Sequence, residues 1–281
     1  MYLVFDIGGS NIRIGVSADG QNITDSKIVP LNPDFEQGIL IFKQTADELS
    51  KGEQIQAVAG GIAGPLDKEK TMLVASPNIP EWVNRPLKNR LQETFNCPVI
   101  LENDSALVSL GEATKGPGAN HQIVACVALG TGVGGARIVN GKIDQSSLGF
   151  EPGHQIIIPD GEGCNCGGKG HLEAYVGGFY IQRKYHQKAE DIKDSAVWDG
   201  IAKHLAIGLN NTTVHWSPDI IILAGSVTES IPLENVNRYF RQFCTIFSSP
   251  PEIVKGTLGN DAGLYGALAL INQNSPKAGK I

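Results

Sequence analysis

One pattern occurs twice in this chain, and few folds can accommodate it. An apolar run enters a glycine turn and leaves as a second, alternating run. In the first half, Tyr2 to Ile7 leads into Gly8-Gly9-Ser10, after which Ile12, Ile14 and Val16 alternate with Arg13, Gly15 and Ser17. That is the period of a half-buried strand. In the second half, Ile123 to Leu129 leads into Gly130-Thr131-Gly132, and a strand over Ala136 to Val139 reaches Asn140-Gly141, a strong hairpin dipeptide. Each opening is followed by helical stripes and further short apolar runs, so the reading is α/β, in two halves built on one theme.

The remaining elements follow from periodicity and punctuation. Asp19-Gly20 is a turn and Asn22 to Val29 a third strand. Apolar residues at Phe35, Ile39, Phe42, Ala46 and Leu49 predict a helix over 35–49. Gln56 to Ala59 reads as a strand into the glycine run at Gly60-Gly61, Pro86 to Phe95 as a helix with proline in its first turn, and Val99 to Glu102 as a strand. A helix over Asp104 to Thr114 starts at Asn103-Asp104. Lys115-Gly116-Pro117-Gly118 is the natural domain boundary. Helices are expected at 172–188, 196–215, 233–246 and 261–271, with strands over Ile220 to Ala224, ending at Gly225-Ser226, and Glu252 to Val254. The last residues, from Gln273, read as frayed.

Composition excludes whole classes. At 281 residues there is ample core, and a net charge of −6 offers no basic field for nucleic acid or an anionic membrane. No apolar run reaches transmembrane length and no signal-peptide pattern opens the chain, so a cytoplasmic protein is expected. Of five cysteines, Cys97, Cys126 and Cys244 lie scattered in apolar surroundings and read as reduced core thiols.

The other two cysteines belong to a dense block. His154, Cys164, Cys166 and His171 have the spacing and softness of one tetrahedral zinc site, and Glu151 and Glu173 flank them. Two carboxylates beside a metal clip suit a polyhydroxylated ligand, because each accepts several hydroxyl hydrogen bonds.

Gly130 to Gly135 literally satisfies Gly-x-Gly-x-x-Gly. A dinucleotide site requires a helix straight after those glycines, whereas here a strand and an Asn-Gly turn follow, so the Rossmann reading fails on context. A glycine turn between antiparallel strands still presents bare N–H groups and a hydroxyl to phosphate oxygens. The Asp6-Ile-Gly-Gly-Ser-Asn11 turn adds a carboxylate suited to Mg²⁺ through water. One such loop alone is a structural turn. Two of them, one per half, favour a nucleotide triphosphate clamp.

These motifs, in this order, resemble the ROK (repressor, open reading frame, kinase) family of sugar kinases, within the actin, Hsp70 and hexokinase superfamily. The matching pieces are Asp6 to Asn11, Gly61 to Asp67, Pro77 to Trp82, Glu102-Asn103-Asp104 with Gly111-Glu112, and Leu129 to Gly135. They continue with Glu151-Pro-Gly-His154, Cys164 to Glu173, Leu223 to Ser226 and Leu258 to Gly263. The resemblance implies two actin-like (ribonuclease H-like) α/β domains with a ligand cleft between them. The smaller would span 1–115 with about 261–275 returning to it, and the larger 116–260, carrying the zinc loop.

It also implies roles. Asp104 would be the general base that takes the proton of a sugar hydroxyl. Gly61, Asn78, Asn103, Asp104, Glu151, His154 and Glu173 would contact the sugar. Asp6, Gly8, Gly9, Ser10, Asn11, Arg13, Gly130, Thr131, Gly132, Gly225, Ser226 and Gly263 would hold ATP with Mg²⁺. The zinc on His154, Cys164, Cys166 and His171 would be structural, since four protein ligands leave no open position. Homodimers and homotetramers are both common in the family.

This chain departs from the family pattern at three positions. Ser10 stands where threonine is usual, and His171 where cysteine is usual. Pro152 stiffens the turn beside the residues expected to meet the sugar's C2 substituent.

The reading is an ATP-dependent hexose kinase acting on the 6-hydroxyl, glucose first, with an N-acetylhexosamine or fructose as the alternative acceptor. A sugar-responsive repressor is disfavoured because the Asp6 strand starts at residue 2, with no winged-helix segment ahead of it. A non-catalytic sugar-binding module is disfavoured because Asp104 and both glycine turns are present.

Overall fold

The computed structural model describes residues 1–76 and 79–274. The chain divides into two compact units: Met1–Gly111 with the stretch from Asp261 onward, and Glu112–Asn260.

The first unit is built on a five-stranded sheet of order β3-β2-β1-β4-β5. Its strands are β1 (Tyr2–Ile7), β2 (Asn11–Ser17), β3 (Asp25–Pro30), β4 (Ala57–Ile62) and β5 (Val99–Asn103). The first three form an antiparallel meander, whereas β4 and β5 run parallel to β1. Strand periodicity sends Leu3, Phe5 and Ile7 to one face, where they are buried with Phe42 and Leu91 from α1 (Phe35–Ser50) and α2 (Leu87–Phe95). Val4 and Ala59 point the other way, into a core made with α3 (Asp104–Thr114) and α8 (Ala262–Asn274). Those two helices touch backbone to backbone. A Cβ on Gly111 would lie 2.1 Å from the Ala262 carbonyl oxygen, and one on Gly266 would lie 1.9 Å from that of Leu107.

The second unit repeats the plan with the order β10-β9-β6-β7-β8. Here β6 (Ile123–Leu129), β7 (Val133–Val139) and β8 (Lys142–Ile143) are antiparallel, while β9 (Ile220–Ala224) and β10 (Glu252–Lys255) run parallel to β6. Leu129 and Leu223 are buried with Leu172, Leu205, Val236 and Phe240. The helices are α4 (Glu173–Val176), α5 (Gly178–Tyr185), α6 (Ser195–Trp216) and α7 (Leu233–Phe243). Cys126 and Cys244 are buried thiols and Cys97 is half-buried.

Several elements differ from the sequence expectation, each for a local reason. β3 starts at Asp25 rather than Asn22 because the Asp19 carboxylate holds the turn, accepting from Gln21 N and Asn22 N at 2.8 Å each. β4 runs through Gly60 and Gly61 to Ile62, since it is paired on both sides and glycine is what fits there. β7 begins at Val133, straight out of the glycine turn. The helix expected over 172–188 is two helices, broken at Gly177, whose ψ of 139° is extended. α7 ends at Phe243 and α8 begins at Ala262, after a 3-10 turn over Gly259–Asp261. The first crossing between units falls inside α3, ahead of Lys115 to Gly118. Glu112, 1% exposed, already belongs to the second unit and accepts from Thr257 N at 3.0 Å and Leu258 N at 2.9 Å. Residues 77, 78 and 275–281 lie outside the described residues; of the stretch read as frayed from Gln273, Gln273 and Asn274 are instead the last residues of α8.

Candidate functional site

In a parallel sheet, ligand-binding groups collect at the carboxyl ends of the strands. In the first unit, Asp6 on β1 is in register with Gly61 on β4, and Gly61 with Glu102 on β5. Asn103 ends β5 and caps α3: its Oδ1 accepts from Ser105 Oγ at 2.6 Å and Ala106 N at 3.1 Å, and its Nδ2 donates to the Gly64 carbonyl at 3.2 Å. Asp104 therefore occupies the first helical turn, with its Oδ1 2.8 Å from Ser105 N. Gly61 lets β4 pass close under it: a Cβ there would stand 2.9 Å from the Asp104 Cα. Behind it, buried Glu102 is ion-paired with Lys70 and accepts from its neighbour's backbone, Asn103 N, at 3.0 Å. Asp67 fastens the intervening loop. Burial pushes its carboxyl up, but hydrogen bonds from Thr71 and Met72 prevail and hold it below the ordinary value.

Asp6 is largely buried, which raises its carboxyl above the ordinary value against the opposing pull of the Arg13 guanidinium, its cross-strand partner. A Cβ on Gly263 would lie 3.5 Å from Asp6 Oδ2, so the start of α8 is close to this carboxylate. Arg13 in turn lies 3.4 Å from Asp261 Oδ1. The glycine turn is closed by Gly8 N donating to the Asn11 carbonyl at 3.0 Å, and Gly9, Ser10 and Asn11 are exposed. Asp6, Gly61, Asp104 and Gly263 are thus neighbours on one sheet edge. Asn78 lies outside the described residues.

The second unit mirrors this edge. Gly130 follows β6, and Gly225 follows its parallel neighbour β9. With φ of 88° and a Cβ position 2.5 Å from the Leu129 carbonyl oxygen, residue 225 has room for glycine only. Ser226 opens the 3-10 turn that follows. Gly178 N and Phe179 N, at the start of α5, donate to the carbonyls of Gly130 at 2.8 Å and Thr131 at 2.9 Å. Glu173 Oε2 accepts from Val133 N at 2.9 Å and would lie 2.6 Å from a Cβ on Gly132. Glu151, Pro152, Gly153 and His154 form a 3-10 turn laid on β7, where a Cβ on Gly153 would be 2.1 Å from the Val133 carbonyl oxygen. The Glu151 side chain stays 58% exposed, yet the protein wall beside it desolvates the carboxyl enough to raise it, against the pull of His154 and with the help of Glu173.

His154, Cys164, Cys166 and His171 place one ligand atom each within 4.8 Å of one another. His154 Nδ1 is 3.4 Å from His171 Nδ1, His171 Nδ1 is 3.3 Å from Cys166 Sγ, and His154 Nδ1 is 3.8 Å from Cys164 Sγ. A tetrahedral zinc with ordinary bond lengths requires edges of about 3.3 Å between nitrogens and about 3.6 Å between nitrogen and sulfur. These three edges are compatible with zinc, His171 included. Outside it, Tyr180 OH donates to Cys164 Sγ at 3.6 Å while accepting from Asn165 N at 2.7 Å, and Glu151 Oε2 lies 3.9 Å from His154 Nε2.

Sequence reasoning missed Tyr180, the Lys70 partner of Glu102, and the attachment of Glu173 to Val133. None has a local signal: the last two join residues 32 and 40 positions apart.

Two such sheets, each a hairpin plus parallel strands with a glycine turn at its carboxyl edge, define an α/β protein of the actin-like ATPase class. The sequence model of the ROK family matches residues 2–274, and the chain belongs to that family. It is 28% identical to a glucokinase of Streptomyces coelicolor over 96% of this chain and 97% of that protein. Among solved structures, a ROK hexokinase from Thermus thermophilus superposes with a TM-score of 0.86 at 26% identity, covering 98% of this chain and 99% of that one. A ROK glucokinase from Streptomyces griseus, in complex with glucose and AMPPNP, superposes with a TM-score of 0.82 at 26% identity, over 97% of this chain and 99% of the other.

Proposed function

We propose that this protein is an ATP-dependent hexose kinase that transfers the γ-phosphoryl group to the 6-hydroxyl of a hexose, glucose foremost. The observation that carries the reading is the placement of Asp104: a carboxylate fixed in the first turn of α3, packed on Gly61 at the strand edge that also bears Asp6. Phosphoryl transfer needs little covalent help. It needs the acceptor oxygen positioned, its proton removed and the phosphate charge balanced. Asp104 accepts the proton of the attacking hydroxyl. Glu151, Glu173 and His154 take the other sugar hydroxyls. The exposed turn at Gly9 to Asn11 and the turn at Gly130 to Gly132 offer N–H groups to the phosphates, and Gly225 and Ser226 line the nucleoside side. Asp6 is the carboxylate that would hold Mg²⁺ through water, and the ion would supply charge neutralisation on the phosphates. Zinc on the Cys/His set would supply a rigid cross-link.

Among the described residues no helix is long and apolar enough to cross a membrane. ATP and free hexose as substrates place the reaction in the cytoplasm. As the family resemblance implies, the working form is a homodimer or homotetramer.

A coupled ADP-release screen over glucose, mannose, fructose, N-acetylglucosamine and N-acetylmannosamine tests the proposal. The highest kcat/KM is expected with glucose. Preference for an N-acetylhexosamine would move the acceptor to the alternative, and no ADP release with any sugar would overturn the kinase reading.

A further inference from the structure

Glu173 makes a contact that recognition of a sugar does not require. Its Oε2 accepts the N–H of Val133, the residue that closes the Gly130-Thr131-Gly132 turn, at 2.9 Å. The opposite side of that turn is bonded to the same short segment, through Gly178 N and Phe179 N on the carbonyls of Gly130 and Thr131. Gly177 and Gly178 are pressed against it, with Cβ positions 3.3 Å from the Thr131 carbonyl oxygen and 2.8 Å from that of Gly130. The segment starts at the metal set. The His171 ring belongs to the Cys/His cluster, and its carbonyl accepts from Ala174 N at 3.1 Å, so its backbone is continuous with the first turn of α4. Glu173 Oε1 also stands 3.7 Å from Cys164 Sγ.

We propose that Glu173 is a positioning residue for the phosphate-binding turn, and that residues 171–179 form a strut carrying the state of the Cys/His cluster to that turn. The inference rests on the kinase reading for its ligand, the phosphate tail of a nucleoside triphosphate. With the Gly130 and Thr131 carbonyls engaged by α5, the Gly132 carbonyl by Gly130 N at 3.0 Å and the exit N–H by Glu173, the turn is held in one shape before any ligand arrives. Loss of the carboxylate leaves the Val133 N–H without its acceptor and unfastens one side of the turn. Loss of the metal frees His171, where the strut begins.

The test is calorimetric titration of AMPPNP with Mg²⁺, in the absence of sugar, into zinc-loaded wild type, E173A and E173Q. E173A is expected to weaken binding about tenfold or more, the scale of a lost hydrogen bond to a charged group. E173Q keeps an oxygen for the Val133 N–H and is expected to retain most of the affinity. Wild type stripped of zinc by a chelator and returned to Mg²⁺ buffer is expected to show the same loss as E173A, and stripping E173A to add little more. Far-UV circular dichroism checks that each form is folded. Unchanged AMPPNP affinity in both E173A and stripped wild type would overturn the inference alone. Wild type that binds no AMPPNP would overturn the kinase reading beneath it.

Discussion

Adding one methyl group at residue 61 should separate catalysis from folding. A Cβ on Gly61 would stand 2.9 Å from the Asp104 Cα, and ordinary contact begins at 3.4 Å, so relief requires the start of α3 to move by 3.4 − 2.9, about 0.5 Å. Misplacing a reacting group by 1 Å costs on the order of a hundredfold, so kcat of Gly61→Ala is expected to fall by about tenfold. Overpacking at one site costs roughly 1–3 kcal/mol of stability. Gly60 is the control. Its Cβ would lie 2.3 Å from the Phe5 ring, on the opposite face of the same strand and away from Asp104. Gly60→Ala is therefore expected to lose at least about 3 kcal/mol while its folded fraction keeps near-normal kcat. Steady-state kinetics with glucose and urea denaturation measure both quantities on each variant. Wild-type kcat in Gly61→Ala, or losses in the two variants that track stability alone, would refute the reasoning.

Two further outcomes follow from the second unit. Elemental analysis should find one zinc per chain, and Cys166→Ser should lose it; unchanged zinc content in that variant would remove Cys166 from the set. His204 packs at a tilt against Tyr175 with ring centroids 4.6 Å apart, and burial, then the charges of Lys184 and Lys203, hold its imidazole below the ordinary value. Below about pH 6.5 the unfolded chain therefore binds this proton more readily than the folded chain, and stability should fall as pH drops through that range. His204→Gln should flatten the decline, and an identical slope in that variant would contradict the assignment.

What the sequence made legible was whatever is coded locally. Ile123 to Leu129 and Ile220 to Ala224 were expected as strands and are strands over those same residues, because continuous apolar runs between turn residues suit sheet interiors. The Cys/His set was legible because its members lie within eighteen positions, and Asp104 because a helix start announces itself. The sequence pattern ends the strand at Ala59, ahead of Gly60 and Gly61, although both glycines are strand. Their reason for being glycine is Phe5 on one face and Asp104 on the other, both remote in sequence. The break at Gly177 was hidden for the same reason. Apolar periodicity runs across 172–188, and what interrupts the helix is the need to reach the Gly130 and Thr131 carbonyls. The second job of Glu173 exists only once β7 is beside α4.

The most direct measurement is single-turnover and steady-state phosphorylation of glucose by Asp104→Asn, paired with calorimetric glucose binding to the same protein. The variant keeps the shape and one oxygen acceptor but cannot serve as a base at neutral pH. A fall in kcat of about 10² to 10⁴-fold, the usual worth of general-base catalysis, with glucose affinity near that of wild type, is predicted. Turnover at the wild-type rate would show that the hydroxyl proton goes elsewhere.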